Sequence, residues 1–104
     1  MAHDVIYKHP SDEVLYSVDF TDDLPDDTTV TSSSAVTAVD SAGASASAVV
    51  GTVSQSGMLV KAVLQAGTNL EDYTITVSGR GGTTSRDSTK VVEMRVRSSL
   101  QGNI

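Results

Sequence analysis

Apolar and polar side chains alternate with a period of two along three short stretches of the chain, residues 13–20, 73–78 and 91–97. In residues 73–78 the alternation is strict, with Tyr, Ile and Val on one face and Thr, Thr and Ser on the other. This pattern is typical of β-strands that have one buried and one solvated face. Each of the three stretches is therefore predicted to be a strand.

Residues 58–65 carry apolar side chains on both faces of a predicted strand. A strand of this kind lies inside a sheet or has an outer face that contacts a partner. We predict that one face belongs to the core and that the other lies in a subunit contact. The two faces are Met58, Val60, Ala62 and Leu64 and, opposite them, Leu59 and Val63.

Residues 28–55 consist almost entirely of Ser, Thr, Ala, Val and Gly. A low-complexity linker is one interpretation of such a composition. Valine recurs through the segment, however, and this favours two weakly specified strands around residues 30–39 and 48–53. We adopt the strand interpretation and leave the register open.

Composition agrees with an all-β fold. The 104 residues include fifteen Val and twelve Thr, and β-branched side chains suit a pleated, half-buried surface. Short strands about ten residues apart predict an immunoglobulin-like antiparallel β-sandwich of about seven strands. We assign residues 1–12 to an N-terminal arm, 13–98 to the sandwich and 99–104 to a C-terminal tail.

The net charge of −6 is concentrated near the start of the chain. Residues 1–40 hold nine acids and one base, whereas residues 41–104 hold four acids and six bases. Nucleic acid is not expected as a partner, because binding phosphates requires a clustered basic face.

There is no Cys, which excludes a disulfide framework. No secretory leader or apolar run long enough for a bilayer is evident, so we expect synthesis in a cytoplasm and no membrane partner.

Candidate chemistry is sparse. The acidic run over residues 19–27 lacks the central Gly and closing Glu of an EF-hand. Solvated turn acids are the favoured interpretation, and a cation shared with a neighbouring subunit stays open. His3 and His9 both lie in the predicted arm, without the further ligands of a zinc site or the third group of a catalytic triad. We predict no catalytic residues, no metal and no cofactor.

Tyr73 opens the strictly alternating strand after Leu70, Glu71 and Asp72. This position matches a tyrosine corner, where the hydroxyl bonds to the backbone a few residues upstream. A plain core tyrosine is the alternative.

The arm has one short apolar cluster, Val5, Ile6 and Tyr7, which we expect to dock on a neighbouring subunit. The first and last strands of such sandwiches commonly run side by side. We therefore also expect Glu13 and Asp19 to lie near Arg95 and Arg97.

With these features in view, the chain resembles the small immunoglobulin-like virion proteins of tailed bacteriophages. The resemblance covers about residues 13–98 and rests on LYSVDFTDDLPDDTTVTSSS, VLQAGTNLEDYTITVSGRGG and VVEMRVR. It implies a decoration, cement, fibre or tail-associated subunit in the virion, with no catalytic residues.

We expect a non-enzymatic virion structural protein. The main interpretation is a capsid decoration or cement subunit that docks through its arm. Its expected partners are the major capsid protein or other virion proteins, together with homo-oligomer or lattice contacts. A tail- or neck-associated virion subunit is one alternative, and an adhesion or carbohydrate-binding module is another.

Overall fold

The computed structural model of the protein describes residues 4–31 and 34–98. Seven strands run through this part of the chain, and a 3₁₀ turn at Ser47–Val49 precedes the fourth. The strands are β1 (Asp4–Lys8), β2 (Val14–Asp19), β3 (Ala35–Val39), β4 (Val50–Ser56), β5 (Leu59–Leu64), β6 (Asp72–Arg80) and β7 (Asp87–Val96).

The strands form two sheets. Sheet A has the order β1-β7-β6-β3, and sheet B has the order β2-β5-β4. Strand β1 runs parallel to β7, and every other pair is antiparallel. The prediction of an all-β sandwich is confirmed. Immunoglobulin domains place their third, sixth and seventh strands in one sheet opposite the second, fifth and fourth. On this order we propose that the sandwich is immunoglobulin-like.

The core lies between the two sheets. Phe20, Leu64, Ile75, Met94 and Val96 are completely buried there. The alternation of β6 and β7 is confirmed, because every second residue is buried along the whole of β6 and in the second half of β7. In β5 the face with Val60, Ala62 and Leu64 belongs to the core. This agrees with the prediction that one face of this strand is a core face.

The segment of small residues contains strands β3 and β4, so the linker interpretation is wrong. Val30 lies outside β3 and makes an isolated bridge to Gly81. Strand β7 begins at Asp87, four residues before the alternating stretch of residues 91–97. Its first residues pair with the end of β6, where Gly79 faces Ser88 and Arg80 faces Asp87. Polar side chains suit these positions, since the ladder supplies the backbone hydrogen bonds whatever the side chain.

The prediction of an arm is wrong for residues 4–8. They form β1, which pairs with β7 over five residues from Asp4 to Lys8. Ile6 packs against the core, and the Lys8 side chain is buried. The Lys8 Nζ donates to the carbonyl oxygens of His9 and Asp12, each at 2.8 Å. The pKa of Lys8 is lowered, because the effect of burial is larger than the opposite effect of the nearby Asp12 and Glu13. Residues 1–3 and 99–104 of the predicted arm and tail lie outside the described residues.

The predicted ion pairs between the second strand and the last are also wrong. Strand β1 takes the place beside β7, and β2 lies in the other sheet. Arg97 instead pairs with Asp72 at 2.8 Å. Arg95 pairs with Glu93 on its own strand, also at 2.8 Å.

Candidate binding surface

The outer face of sheet A carries most of the exposed apolar side chains. Within residues 4–31 and 34–98, six large hydrophobic residues are exposed, and four of them lie on this face. The four are Val5, Tyr7, Val39 and Val91; the other two are Leu15 on sheet B and Leu70 before β6.

The strand register explains why these side chains share one face. The inward residues Ile75 and Val92 are paired, so their neighbours along the strands point outward. Thr76 therefore faces solvent opposite Val91. Thr37, opposite Thr76 on β3, adds a second threonine. We define the outer face of sheet A as this set: Val5, Tyr7, Thr37, Val39, Thr74, Thr76, Val91, Glu93 and Arg95.

Tyr7 and Arg95 form the polar part of the outer face of sheet A. The Arg95 guanidinium donates to the Tyr7 hydroxyl at 3.0 Å and to the Glu93 carboxylate at 2.8 Å. It lies 5.7 Å from the centre of the Tyr7 ring, within the range of a cation–π contact. The hydrogen bonds to Glu93 and Tyr7 raise the pKa of Arg95 above its ordinary value. Tyr7 is 53% exposed, so a partner can reach the ring.

The outer face of sheet B is less apolar. Leu59 and Val63 lie on it and are half-buried, with Lys61 between them. Val63 is paired with the exposed Leu15 of β2. Leu59 is paired with Asp19 on one side and Ser56 on the other.

The predicted contact residues do not form one surface. Val5 and Tyr7 lie on the outer face of sheet A, whereas Leu59 and Val63 lie on the opposite side of the sandwich. Ile6 points inward and is packed against the core. Its orientation follows from the strand, because side chains alternate along it and the two neighbours of Ile6 take the outer face.

Sequence reasoning missed Val39, Val91 and Leu15. A signal was present at Val91 and Leu15, since each is an apolar residue on the polar face of a predicted strand. Val39 gave no such signal, because its segment has no clear alternation.

The acidic turn after β2 serves mainly to close one end of the sandwich. Leu24 is buried beneath it. Asp27 is also buried, and its Oδ1 accepts hydrogen bonds from the amides of Thr83 and Thr84 at 2.8 and 2.9 Å. Its Oδ2 accepts from the Thr84 hydroxyl at 2.7 Å. The side-chain bond from Thr84, together with these amides, holds the pKa of Asp27 below its ordinary value. A Cβ on Gly81 would overlap this carboxylate, so the turn requires glycine there.

Within the described ranges, no three His, Cys, Asp or Glu side chains are grouped so that they could hold a metal ion. His9 lies in the turn after β1, where its Nδ1 accepts a hydrogen bond from the Ser11 amide at 3.0 Å. His3 lies outside the described residues. Over the same part of the chain, no helix has the length and hydropathy that a membrane span requires.

Tyr73 is the second residue of β6 and is buried. Its hydroxyl accepts a hydrogen bond from the Thr68 amide at 3.0 Å, five residues upstream. This is the contact that defines a tyrosine corner. We propose that Tyr73 fixes the turn between β5 and β6.

The geometry thus offers a β-face with exposed apolar, threonine and paired charged side chains. Such a face suits protein binding, because interfaces combine aromatic and Arg side chains with apolar area. No curated protein and no solved structure matches the sequence. The profile of one protein family, described as podophage GP4 fiber-tail adaptor protein gp77, matches residues 8–97. This match covers nearly all of the sandwich, and the chain belongs to the podophage GP4 fiber-tail adaptor protein gp77 family.

Proposed function

We propose that the protein is a non-enzymatic subunit of a podophage tail, where it joins a fibre to the tail. The observation that carries the proposal is the family match over residues 8–97, since the family is named for a fiber-tail adaptor. The same match confirms the resemblance to small virion structural proteins of tailed phages. The protein is a virion component and binds other virion proteins.

The family description favours the tail-associated alternative over capsid decoration. It names the fibre and the tail and does not name the capsid. An adhesion or carbohydrate-binding role has less support, because flat sugar platforms present several exposed aromatic rings. Among the described residues, Tyr7 is the one aromatic residue with more than half of its surface exposed.

An adaptor acts through its surfaces, and the outer face of sheet A is the contact that we assign to another virion protein. Val5, Tyr7, Val39 and Val91 are exposed on it. Burying them against a partner removes apolar area from water, and this favours association. Arg95 and Glu93 sit beside Tyr7 and restrict how a partner can be oriented.

The location is tested by immunogold electron microscopy of purified particles, with an antibody raised against the isolated protein. We expect label where the fibres meet the tail. Label spread over the capsid would contradict the proposal and support a decoration role.

The contact face is tested with Val91→Lys, which places a charge among the exposed valines of sheet A. The matched control is Leu15→Lys, which makes a similar change at an exposed apolar position on β2 in the opposite sheet. Both proteins are supplied to particles that lack the protein, after circular dichroism has shown that both fold. We expect Val91→Lys to lose incorporation and Leu15→Lys to keep it. Equal incorporation of the two variants would show that the outer face of sheet A is not the contact.

A further inference from the structure

The sandwich is open along one side. Strand β3 ends sheet A and β4 ends sheet B, and the two edges border a groove of about 320 Å³. Val36 and Ala38 line it from β3, and Val50 and Val53 line it from β4. Val36, Val50 and Val53 pack against the core while remaining partly exposed. The core is therefore incomplete at this side, and further apolar side chains would complete it.

This side also lacks the charges that normally protect a sheet edge. Residues 28–60 contain a single charged residue, Asp40. The other edge of sheet B differs, since β2 ends with Asp19. Natural proteins place charges, prolines, bulges or covering loops at sheet edges because an unprotected edge pairs with other strands. Strand β4 has a register shift between Val50 and Val53, so its regular and uncharged stretch from Val53 to Ser56 is the site for strand pairing.

Strand β4 is the more accessible of the two edges. The loop after β3 folds back on that strand, where the Ala46 amide donates to the Ala38 carbonyl at 2.9 Å and Ser45 bridges to Val39. Within residues 4–31 and 34–98, β5 is the one strand that pairs with β4. The other side of β4 can accept a further strand.

The distribution of charge favours a second copy of the chain as the partner at this edge. Each copy carries a net charge of −6, so two copies repel each other overall. The β4 edge brings them together where neither has a charged side chain. Antiparallel pairing of β4 with the same strand of the second copy would extend sheet B to six strands. The inward side chains of the added strand would then lie over the groove, because side chains of neighbouring paired strands share a face.

We propose that the protein self-associates through antiparallel pairing of β4 with β4 of a second copy, closing the groove between β3 and β4. This contact lies on a different side of the sandwich from the outer face of sheet A, and it does not depend on the adaptor role.

The test compares two single substitutions that place the same charge beside the same lysine. Ser54 of β4 and Ser17 of β2 are both exposed, and both pair with Lys61 from opposite sides. Ser54→Asp adds a carboxylate to the proposed contact, and Ser17→Asp adds one to the other edge of the sheet. Each new carboxylate lies next to a lysine, so neither variant is expected to disturb the fold.

Sedimentation velocity over a range of concentrations is the measurement. We expect the wild-type protein and Ser17→Asp to form the same dimer. Like charges brought together across paired strands should weaken dimerisation of Ser54→Asp about tenfold. In about 1 M salt the Debye length falls to about 3 Å, and the Ser54→Asp dimer should recover. Such recovery separates charge repulsion from misfolding.

Two results would overturn the proposal. A wild-type protein that stays monomeric up to millimolar concentration has no such contact. A dimer that both variants weaken equally, or that neither weakens, is formed through another surface.

Discussion

Phe20 and Gly79 show how a single pair of residues sets the spacing of the two sheets. Phe20 is completely buried, and a Cβ added at Gly79 would lie 2.6 Å from its ring atom Cδ2. The ring therefore occupies the space that a side chain on β6 would need. Glycine is required here for space, and the backbone at this position does not adopt a left-handed conformation.

Gly79→Ala should lower the free energy of unfolding by about 1–3 kcal/mol, because the added methyl group overpacks the core. Urea denaturation gives this value. Phe20→Leu supplies the control, since the smaller side chain leaves room for the methyl group. The double variant should then lose less than the sum of the two single losses, and an additive result would mean that the two residues do not compete for space.

Tyr73→Phe isolates one hydrogen bond. The variant keeps the buried ring and removes the hydroxyl that accepts from Thr68, so we expect a loss of about 1 kcal/mol in the free energy of unfolding. Tyr7→Phe is a matched comparison, because it removes an exposed hydroxyl and should cost clearly less. An unchanged denaturation midpoint for Tyr73→Phe would reduce Tyr73 to an ordinary core residue.

Asp27 links stability to pH. Its pKa is lower in the folded protein than in the unfolded chain, so the unfolded state binds more protons in the interval between the two pKa values. The contribution of Asp27 is complete above the ordinary aspartate pKa, about 3.9. It is lost as the pH falls from there through the folded pKa. The denaturation midpoint of the wild-type protein should fall over this acid range.

Asp27→Asn should weaken that acid dependence and lower the midpoint at neutral pH, because the amide cannot accept the bonds from Thr83 and Thr84 with a full charge. Asp26→Asn removes the same charge from an exposed neighbour in the same turn. Midpoints measured from neutral to acid pH should follow the wild type for Asp26→Asn. Parallel curves for wild type and Asp27→Asn would contradict the assigned role of Asp27.

At the scale of elements, β1 makes the start of the chain a part of the sandwich. It adds Ile6 to the core and covers one edge of β7. Lys8 then closes the connection to β2 through its bonds to the backbone of residues 9–12. The segment belongs to the sandwich and is not a detachable arm.

Deleting residues 1–12 should therefore destabilise the domain by about 2 kcal/mol or more, since it removes a strand ladder and a packed isoleucine. Thermal unfolding followed by circular dichroism measures the loss. Val5→Ser is the control within the same strand, because Val5 points outward and contributes little to the core. A truncated protein with the wild-type midpoint would restore the interpretation of these residues as an arm.

At the scale of the whole molecule, the sequence was sufficient for the class of fold and for most of the core. Strict alternation located β6 and the second half of β7, because each has one buried face. It failed at β1, where Ile6 is the one apolar side chain that points inward and the buried Lys8 appears polar in the sequence. The pairing of β1 with β7 depends on residues almost ninety positions apart, and no local pattern encodes such a contact. The candidate surface was only half predicted for the same reason, since it combines residues from four strands.

The parallel pairing of β1 with β7 has a mechanical consequence. The start of β1 and the end of β7 lie at opposite ends of one ladder, in which Asp4 faces Val92 and Lys8 faces Val96. Force applied between the two ends of the chain would slide the strands along each other and load all their hydrogen bonds at once. The chain has no Cys, so pairs of introduced thiols can serve as handles for single-molecule pulling. Val5→Cys with Ser98→Cys should resist a higher force than Ser11→Cys with Ser98→Cys, which peels the ladder from one end. On the proposed role of joining a fibre to the tail, this arrangement of strands would let the protein bear tension between the two.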